Sequence, residues 1–456
     1  MLLNHYNGIS LFFKGLIVKN FRELFSGSFE FELEMPREEQ ICPYCGQKTN
    51  RIKDYRVQKF RDAQAFGENV FIILRKRRYK CPHCMRSFTE SNPLIHRYQH
   101  FSGRFYRLTF KEFQRVQSFS AIASRMGVSV TSIIRWFDRI SFGHPDIPTC
   151  FSIDEFKGNA EGEKFQCNIS DPINHKVLDI LPSRTVENLC AHFCDKYTLE
   201  QRLTVQNVVM DMSTTFRSAI HKLFPNAKII ADRFHVIRLV NWSLENVRKR
   251  IQKQFHKERR RWFKRSKAIL LKKEWLLKED ERAVLNRMLA ASPELEKAYI
   301  LKERFSTIFR ESNKKATIRS LDHWLGLVAK FNLPEFRHCI DTFTKWSSEI
   351  TRIAEYGLSN GFIEGSNNKI KVLKRVSYGI WNFERFRNRI LYLCGWMDKK
   401  KHKFDIFKPT HRKIKNKKLI QCILCDQVAQ YAVTRWGLTN YVCELHKHSL
   451  DEYQGF

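Results

Sequence analysis

The sequence predicts a multidomain α+β protein. An α/β core is interrupted by a large helical insertion, preceded by two small N-terminal modules and followed by a C-terminal one. Three observations predict this. Cys-x-x-Cys knuckles recur near both ends, at 42–45, 81–84 and 422–425. From about residue 149, short apolar runs alternate with helical patterns, the signature of an α/β sheet. Between about 238 and 345 the pattern is helical, long and strongly basic, yet Leu, Trp and Phe recur through it, which marks packed helices rather than a loop. A chain of 456 residues can build two or three cores, and 43% hydrophobic content marks it as folded.

Charge narrows the partners. Lys and Arg total 81 against 47 Asp and Glu, a formal net charge of +34. A balance this basic favours nucleic acid, or less often an anionic membrane surface. The sequence has no run of about 18 apolar residues that could span a membrane. Its N-terminus lacks the order of a signal peptide, so the expectation is a cytoplasmic, nucleoid-associated protein. In such a compartment, cysteines spaced as knuckles read as metal sites rather than disulfides.

Residues 1–95 form the first module. Cys42-Pro-Tyr-Cys45 and Cys81-Pro-His-Cys84 flank a β-rich run at 68–79. That is the layout of a zinc ribbon, with Cys42, Cys45, Cys81 and Cys84 supplying four soft ligands to one tetrahedral Zn²⁺. His83 reads as a surface residue. The neighbouring Arg75, Lys76, Arg77 and Arg78 are candidate DNA contacts. Residues 96–148 follow as a helix-turn-helix. Small Ala123 suits a close helix crossing, Gly127 the turn, and Ser129 an N-cap. Ile133, Ile134 and Phe137 are expected to be the buried face of the second helix. Thr131, Ser132 and Arg135 would then face a major groove.

The core begins at 149, with strands expected at 149–156, 164–170 and 176–181. A helix at 186–197, a strand at 205–210, a helix at 214–224 and a strand at 227–231 complete its first part, 149–237. Three strands, helix, strand, helix, strand is the order of a ribonuclease-H-like α/β core. The basic helical insertion occupies 238–345, where Trp262 and Phe263 lie among arginines, suited to packing or to stacking on bases. The core resumes at 346–400. Residues 401–456 are a basic linker and a second zinc module, with Cys422, Cys425, Cys443 and His446 as ligands.

Three carboxylates carry the chemistry. Asp154 and Asp211 follow strand-like runs, Phe-Ser-Ile and Val-Val-Met, and Glu364 opens a basic helical stretch. Short, rigidly held carboxylates at strand ends and on a helix can converge on two Mg²⁺ (or Mn²⁺) ions about 3.5–4 Å apart, the arrangement for phosphoryl transfer. Taken singly, each Asp could equally be a turn former or a helix cap. At helical spacing Glu364, Asn368, Lys371 and Arg375 share a face, placing an amide and two cations for DNA phosphates beside the carboxylate. Asp232 and His235 follow the next strand; they could flank the site or form a structural pair. Glu155 and Asp171 read as structural.

These residues together resemble bacterial insertion-sequence DDE transposases of the ISL-three group. The resemblance rests on the two N-terminal knuckles, the helix-turn-helix, Ser152-Ile153-Asp154-Glu155-Phe156, Asp211-Met212-Ser213, Asp232-Arg233-Phe234-His235 and Glu364-Gly365-x-Asn367-Asn368-x-Ile370-Lys371. It covers nearly the whole chain to about residue 400. It implies that Asp154, Asp211 and Glu364 are the DDE triad and that the N-terminal modules recognise terminal inverted repeats. It implies too that the cut ends are joined to target DNA, with a homodimer holding two ends. The residues alone also leave open a catalytically silent DNA-binding protein and a guided or structure-specific nuclease.

Overall fold

The computed structural model describes residues 13, 15–92, 94–95, 99–140, 142–143, 145–158, 163–256, 260, 263, 266–310, 314–358, 360–394, 410–413, 431–435 and 438–442. The chain separates into two compact units, 1–141 with 399–456, and 142–398. Among the described residues no helix is long and apolar enough to cross a membrane.

The first unit is built on a twisted sheet. Its strands are β1 (Ile17–Glu23), β2 (Phe29–Glu34), the short pair β3 (Gln40–Ile41) and β4 (Lys48–Thr49), β5 (Ile52–Ala65), β6 (Glu68–Lys80) and β7 (Ser87–Thr89). The main sheet runs β1-β2-β6-β5, with β7 on β6. Phe66 and Gly67, both at positive φ, make the tight β5–β6 turn. Alternation along β6 buries Val70, Ile72 and Leu74 against Leu33 and Phe60.

Three helices follow: α1 (Gly103–Glu112), α2 (Phe119–Met126) and α3 (Val130–Phe137). Ser118 and Ser129 cap α2 and α3 through their hydroxyls, and Gly127 closes α2 at φ 59°. The buried face of α3 is Ile133, Trp136 and Phe137. Trp136 replaces the expected Ile134 because its indole fills a cluster with Phe101, Phe105 and Tyr106. Several side chains of β5 tie sheet to helices, among them Gln64, which donates to the Arg125 carbonyl, and Arg61. Arg61 of β5 is 9% exposed, and its guanidinium donates to the carbonyls of Met126 and Gly127, each at 2.6 Å. These are orphan acceptors at the end of α2.

The second unit opens with β8 (Cys150–Lys157), β9 (Phe165–Asp171), β10 (Lys176–Leu181), α4 (Val186–Lys196), α5 (Leu199–Leu203), β11 (Asn207–Met210), α6 (Thr214–Leu223), β12 (Lys228–Ala231) and α7 (Arg233–Gln254). These match the expected elements within about two residues, with α5 added. The sheet order is β10-β9-β8-β11-β12; β8, β11 and β12 pair parallel, and β9 runs antiparallel to both its neighbours, β8 and β10. Helices then continue as α8 (Ser266–Leu271), α9 (Glu279–Ala290), α10 (Pro293–Thr307), α11 (Lys314–Phe331), α12 (Arg337–Lys345), α13 (Ser347–Tyr356), α14 (Gly361–Val376) and α15 (Phe383–Leu393).

Sheet and inserted helices share one hydrophobic core, from Cys150 through Leu295, Phe305 and Trp324 to Ile353. Phe263, amid the basic stretch, is 1% exposed and stacks on Phe255, so it serves packing; Trp262 lies outside the described residues. At the C-terminus, β13 (Thr410–Lys413), β14 (Tyr431–Arg435) and β15 (Leu438–Val442) form an antiparallel sheet. The expected ligands Cys422, Cys425, Cys443 and His446 lie outside the described residues.

A buried ionic cluster fastens α15 to the sheet. Asp179 of β10 accepts from Arg387 Nε at 2.5 Å and Lys196 Nζ at 3.1 Å, with His192 Nε2 at 3.6 Å. Burial alone would raise this carboxyl, but the three cationic partners outweigh it and hold it below its ordinary value. Asp179→Asn is therefore expected to cost about 3–5 kcal/mol, because it removes the buried counter-charge of Arg387 and leaves it only the exposed Glu384. The depressed folded value means this stability is fully present above the ordinary carboxyl value of 3.8 and is lost as pH falls below it through the lowered folded value. Denaturant titration of the full chain at neutral and acid pH checks this. Equal stability of variant and parent at pH 7 would refute it.

Candidate active site and metal centre

The first metal centre is assembled by two knuckles. The Cys42 amide donates to the Gln47 carbonyl and the Cys81 amide to that of Arg86, closing each loop. Cys42 and Cys84 sulfurs lie 3.6 Å apart, Cys45 and Cys81 sulfurs 3.5 Å, and all four fall within 4.8 Å of one another. A tetrahedron with metal–sulfur bonds of about 2.3 Å has sulfurs about 3.8 Å apart, so this donor set fits Zn²⁺. The Cys84 amide aimed at Cys81 pulls that thiol down, while burial and the neighbouring sulfurs push Cys45 and Cys84 up, so without metal the four sulfurs do not all hold negative charge.

Of the basic cluster beside it, two members are not available to DNA. Arg77 is 5% exposed and pairs with Glu34 at 2.6 Å and Glu90 at 3.3 Å. Lys76 is 8% exposed and donates to Gln58. Both were candidate DNA contacts; the sheet's own acceptors consume them instead. Arg75 is exposed and stacks on Tyr55 at 3.9 Å, while Arg78 is half-buried beside Asp54. On α3, Thr131 and Arg135 are exposed, and Ser132 shares a hydrogen bond with the capping Ser129.

In the second unit the carboxylates meet at one end of the sheet. Ile153, Met210 and Ala231 are in register across β8, β11 and β12. Asp154, Asp211 and Asp232 each follow one of these residues, so they stand side by side across three parallel strands, just past the ends of β11 and β12 and within β8. With strands about 4.8 Å apart, Asp211 is the middle member. The consequences are electrostatic. Burial first, then Asp154, Glu155 and Asp232, push Asp211 up to about 7. Burial, then Asp232 and Glu155, push Asp154 up to about 6. Asp211 Oδ1 is buried without a hydrogen-bond partner. Crowded carboxylates of this kind repel one another, and a cation between them would relieve that repulsion.

Helix α14 packs against this cluster through Asn367, three residues beyond Glu364. Ile363, Ile370 and Leu373 bury one face, leaving Glu364 half-buried and Asn368, Lys371 and Arg375 exposed. A polar chain pins the helix. Asn367 Nδ2 donates to Asp154 Oδ2 at 2.8 Å. Asn168 Nδ2 donates to Asn367 Oδ1 and to Ser366 Oγ, each at 2.8 Å, and its own oxygen accepts from Ser170. Asn367, Asn168 and Ser366 were not singled out as site residues. The signal for Asn367 was the helical step of three from Glu364, which competes with the step of four to Asn368.

Asp232 caps α7, accepting from the Phe234 amide at 3.0 Å, and stands 3.7 Å from His235 Nδ1. Burial, then Arg238, lowers His235 to about 4, against the opposing pull of Glu364 and Glu155. The imidazole is thus neutral at physiological pH, beside Glu364. Glu155 is ion-paired to Arg184 and adds to the field on both aspartates, more than the purely structural role expected of it. Asp171, by contrast, accepts from the amides of Ile173 and Asn174, a turn-forming role.

Comparison with known proteins agrees with this geometry. Residues 151–390 match the model of the ISL3 DDE family, described as transposase, and residues 38–84 match the zinc-finger model of transposases of IS204, IS1001, IS1096 and IS1165. The chain is similar to the transposase for insertion sequence element IS1001 of Bordetella parapertussis, 24% identical over 353 residues, which is 76% of this chain and 86% of the relative. It is also similar to the transposase for element IS1557 of Mycobacterium tuberculosis, 24% identical over 41% of this chain and 47% of the relative. A shorter match, 32% over 116 residues, is to a Lactococcus lactis protein named ATP-dependent protease; it covers 25% of this chain and 36% of that one. With aspartates aligned across three parallel strands, a four-cysteine ribbon ahead of them and a family model spanning more than half the sequence, the chain belongs to the ISL3 family of DDE transposases.

Proposed function

We propose that the protein binds the terminal inverted repeats of an insertion sequence, hydrolyses the phosphodiester at each end, and joins the freed 3′-OH to target DNA. The observation that carries this is the in-register row of Asp154, Asp211 and Asp232, with the helix that bears Glu364 hydrogen-bonded to Asp154 through Asn367. The strand order β10-β9-β8-β11-β12 supports the ribonuclease-H-like reading of the core.

Asp154, Asp211 and Glu364 would hold the pair of Mg²⁺ or Mn²⁺ ions. The partnerless Asp211 oxygen and the mutual crowding of the carboxyls fit such a charge. When bound, two divalent cations activate the attacking oxygen and stabilise the leaving one. The protein's own share is positioning. Asn367 fixes the rotamer of Asp154 through Oδ2. Neutral His235 can hold a proton for an oxygen of the reacting phosphate or water. Thr131, Ser132 and Arg135, with Arg75 and Arg78, serve repeat recognition, while Asn368, Lys371 and Arg375 hold phosphates near the cut. Two ends must be joined, so the working form is a homodimer.

Glu364→Gln keeps the side chain's shape and removes its charge. Incubated with Mg²⁺ and DNA carrying the element's ends, it is expected to cleave at least about a hundredfold more slowly than the parent. Binding of the same DNA in a gel-shift assay should persist. Undiminished cleavage would overturn the assignment.

A further inference from the structure

The loop joining α14 to α15 displays two aromatic side chains to solvent. Tyr378 is 95% exposed and Trp381 is 80% exposed. Displaying large rings costs hydrophobic free energy, and here the backbone adds strain. Tyr378 sits at φ 51°, a left-handed conformation uncommon for an aromatic residue, with Gly379 following at φ 94°. The loop itself is ordered by the end of α14. The Gly379 amide donates to the Lys374 carbonyl and the Tyr378 amide to that of Arg375.

These rings border a groove of about 650 Å³, lined also by Lys157, Lys371, Lys374 and Arg375. A volume in the range of about 300–1,000 Å³ suits a small-ligand-sized group. Its cations are crowded. Lys374 Nζ reaches the Lys157 carbonyl at 3.2 Å, and burial with the Lys157 charge lowers its ammonium from its ordinary value. The acidic residue on its rim, Glu155, is engaged by Arg184. The groove therefore combines exposed π-faces with concentrated positive charge. A protein partner would meet an interface rich in lysine, which protein interfaces avoid at their centres. A duplex has no bare base faces to offer, because they are stacked on one another.

We propose that this groove receives an unstacked nucleotide of the DNA strand, its base against Tyr378 and Trp381 and its phosphates on Lys371, Lys374 and Arg375. This rests on the reading of the substrate as DNA. Lys371 lies seven residues beyond Glu364 on one helix, about 10 Å along its axis. At about 3.4 Å per step of a stacked strand, the groove takes a nucleotide about three positions from the cut. Pulling bases out of the stack there bares the phosphodiester to the carboxylates.

The test uses the full chain without divalent cation, so that it reads binding and not cleavage. Affinity is measured by fluorescence anisotropy for a short oligothymidylate and for a duplex of equal length. The double variant Tyr378→Ala, Trp381→Ala is expected to lose at least about tenfold in affinity for the single strand, since stacking contributes about 1–3 kcal/mol per base. Its duplex affinity should change less than about threefold, since phosphate contacts dominate there. Trp381→Phe should restore most of the single-strand affinity when Tyr378 is kept. Both residues are on the surface, so the variants keep the parent's melting temperature. Single-strand affinity within about twofold of the parent, or equal losses for both DNAs, would overturn the proposal. Should the aromatic pair govern single-strand binding while Glu364→Gln still cleaves, the active-site reading fails and the groove stands. The opposite pair of results removes the groove alone.

Discussion

A chain carrying Cys81→Ser, or the parent stripped of metal by a chelator, is expected to lose the ordered ribbon altogether. Cys81 and Cys42 are 0% and 1% exposed, so their sulfurs are core, not surface. The segments they join are two-residue strands, β3 and β4, and the far ends of the β5–β6 hairpin, where little apolar area is buried. Structural zinc supplies about 10–16 kcal/mol in comparable small sites, far more than such segments can replace. Two readouts check this. Amides over residues 40–90 should lose hydrogen-exchange protection, and affinity for end DNA should fall at least about a hundredfold, equivalent to ~2.7 kcal/mol. The sheet of the second unit should keep its protection. Intact ribbon protection in a zinc-free chain would show that the cysteines are incidental.

Asp211→Asn is expected to abolish cleavage, by at least about a thousandfold, and at the same time to stabilise the cation-free protein. The two effects share one cause. Asp211 is driven up to about 7 and Asp154 to about 6, from an ordinary value of 3.8. A raised folded value means stabilisation that is full below about pH 4 and lost as pH rises through 6 and 7. Without cation, the parent should thus weaken from pH 5 to pH 8, and the variant's advantage in melting temperature should grow over the same interval. Mg²⁺ or Mn²⁺ reverses the sign for the parent. At a hundredfold excess over Kd the gain is about 2.7 kcal/mol, fading toward pH 5 as Asp211 takes up its proton. The variant should gain much less. A cation response identical in parent and variant, or absent at pH 8, would argue against a cation site at these carboxylates.

Much of the architecture was legible because it depends on local signals. The strand residues leading to Asp154, Asp211 and Asp232 are short, largely apolar runs, and the knuckles declare themselves by spacing. What escaped depends on partners remote in sequence. Arg77 reads as one of four exposed cations until β2, pairing parallel to β6, and the segment at Glu90 bring carboxylates to it. Asp179 and Arg387 are separated by 208 positions, and nothing in either neighbourhood announces the other. Asn367 is the instructive miss at the site. A helix offers both i+3 and i+4 as neighbours of Glu364, and only the packing of α14 on the sheet selects the one that reaches Asp154.

The arginine that clasps the end of α2 has a mechanical consequence. Because Arg61 grows from the sheet and holds the carbonyls of Met126 and Gly127, the zinc-bearing sheet and α3 cannot swing independently. Whatever both present to a duplex is presented at one fixed separation and angle, like the jaws of a set calliper. A single base pair inserted between the stretches they touch would rotate one by about a tenth of a helical turn relative to the other.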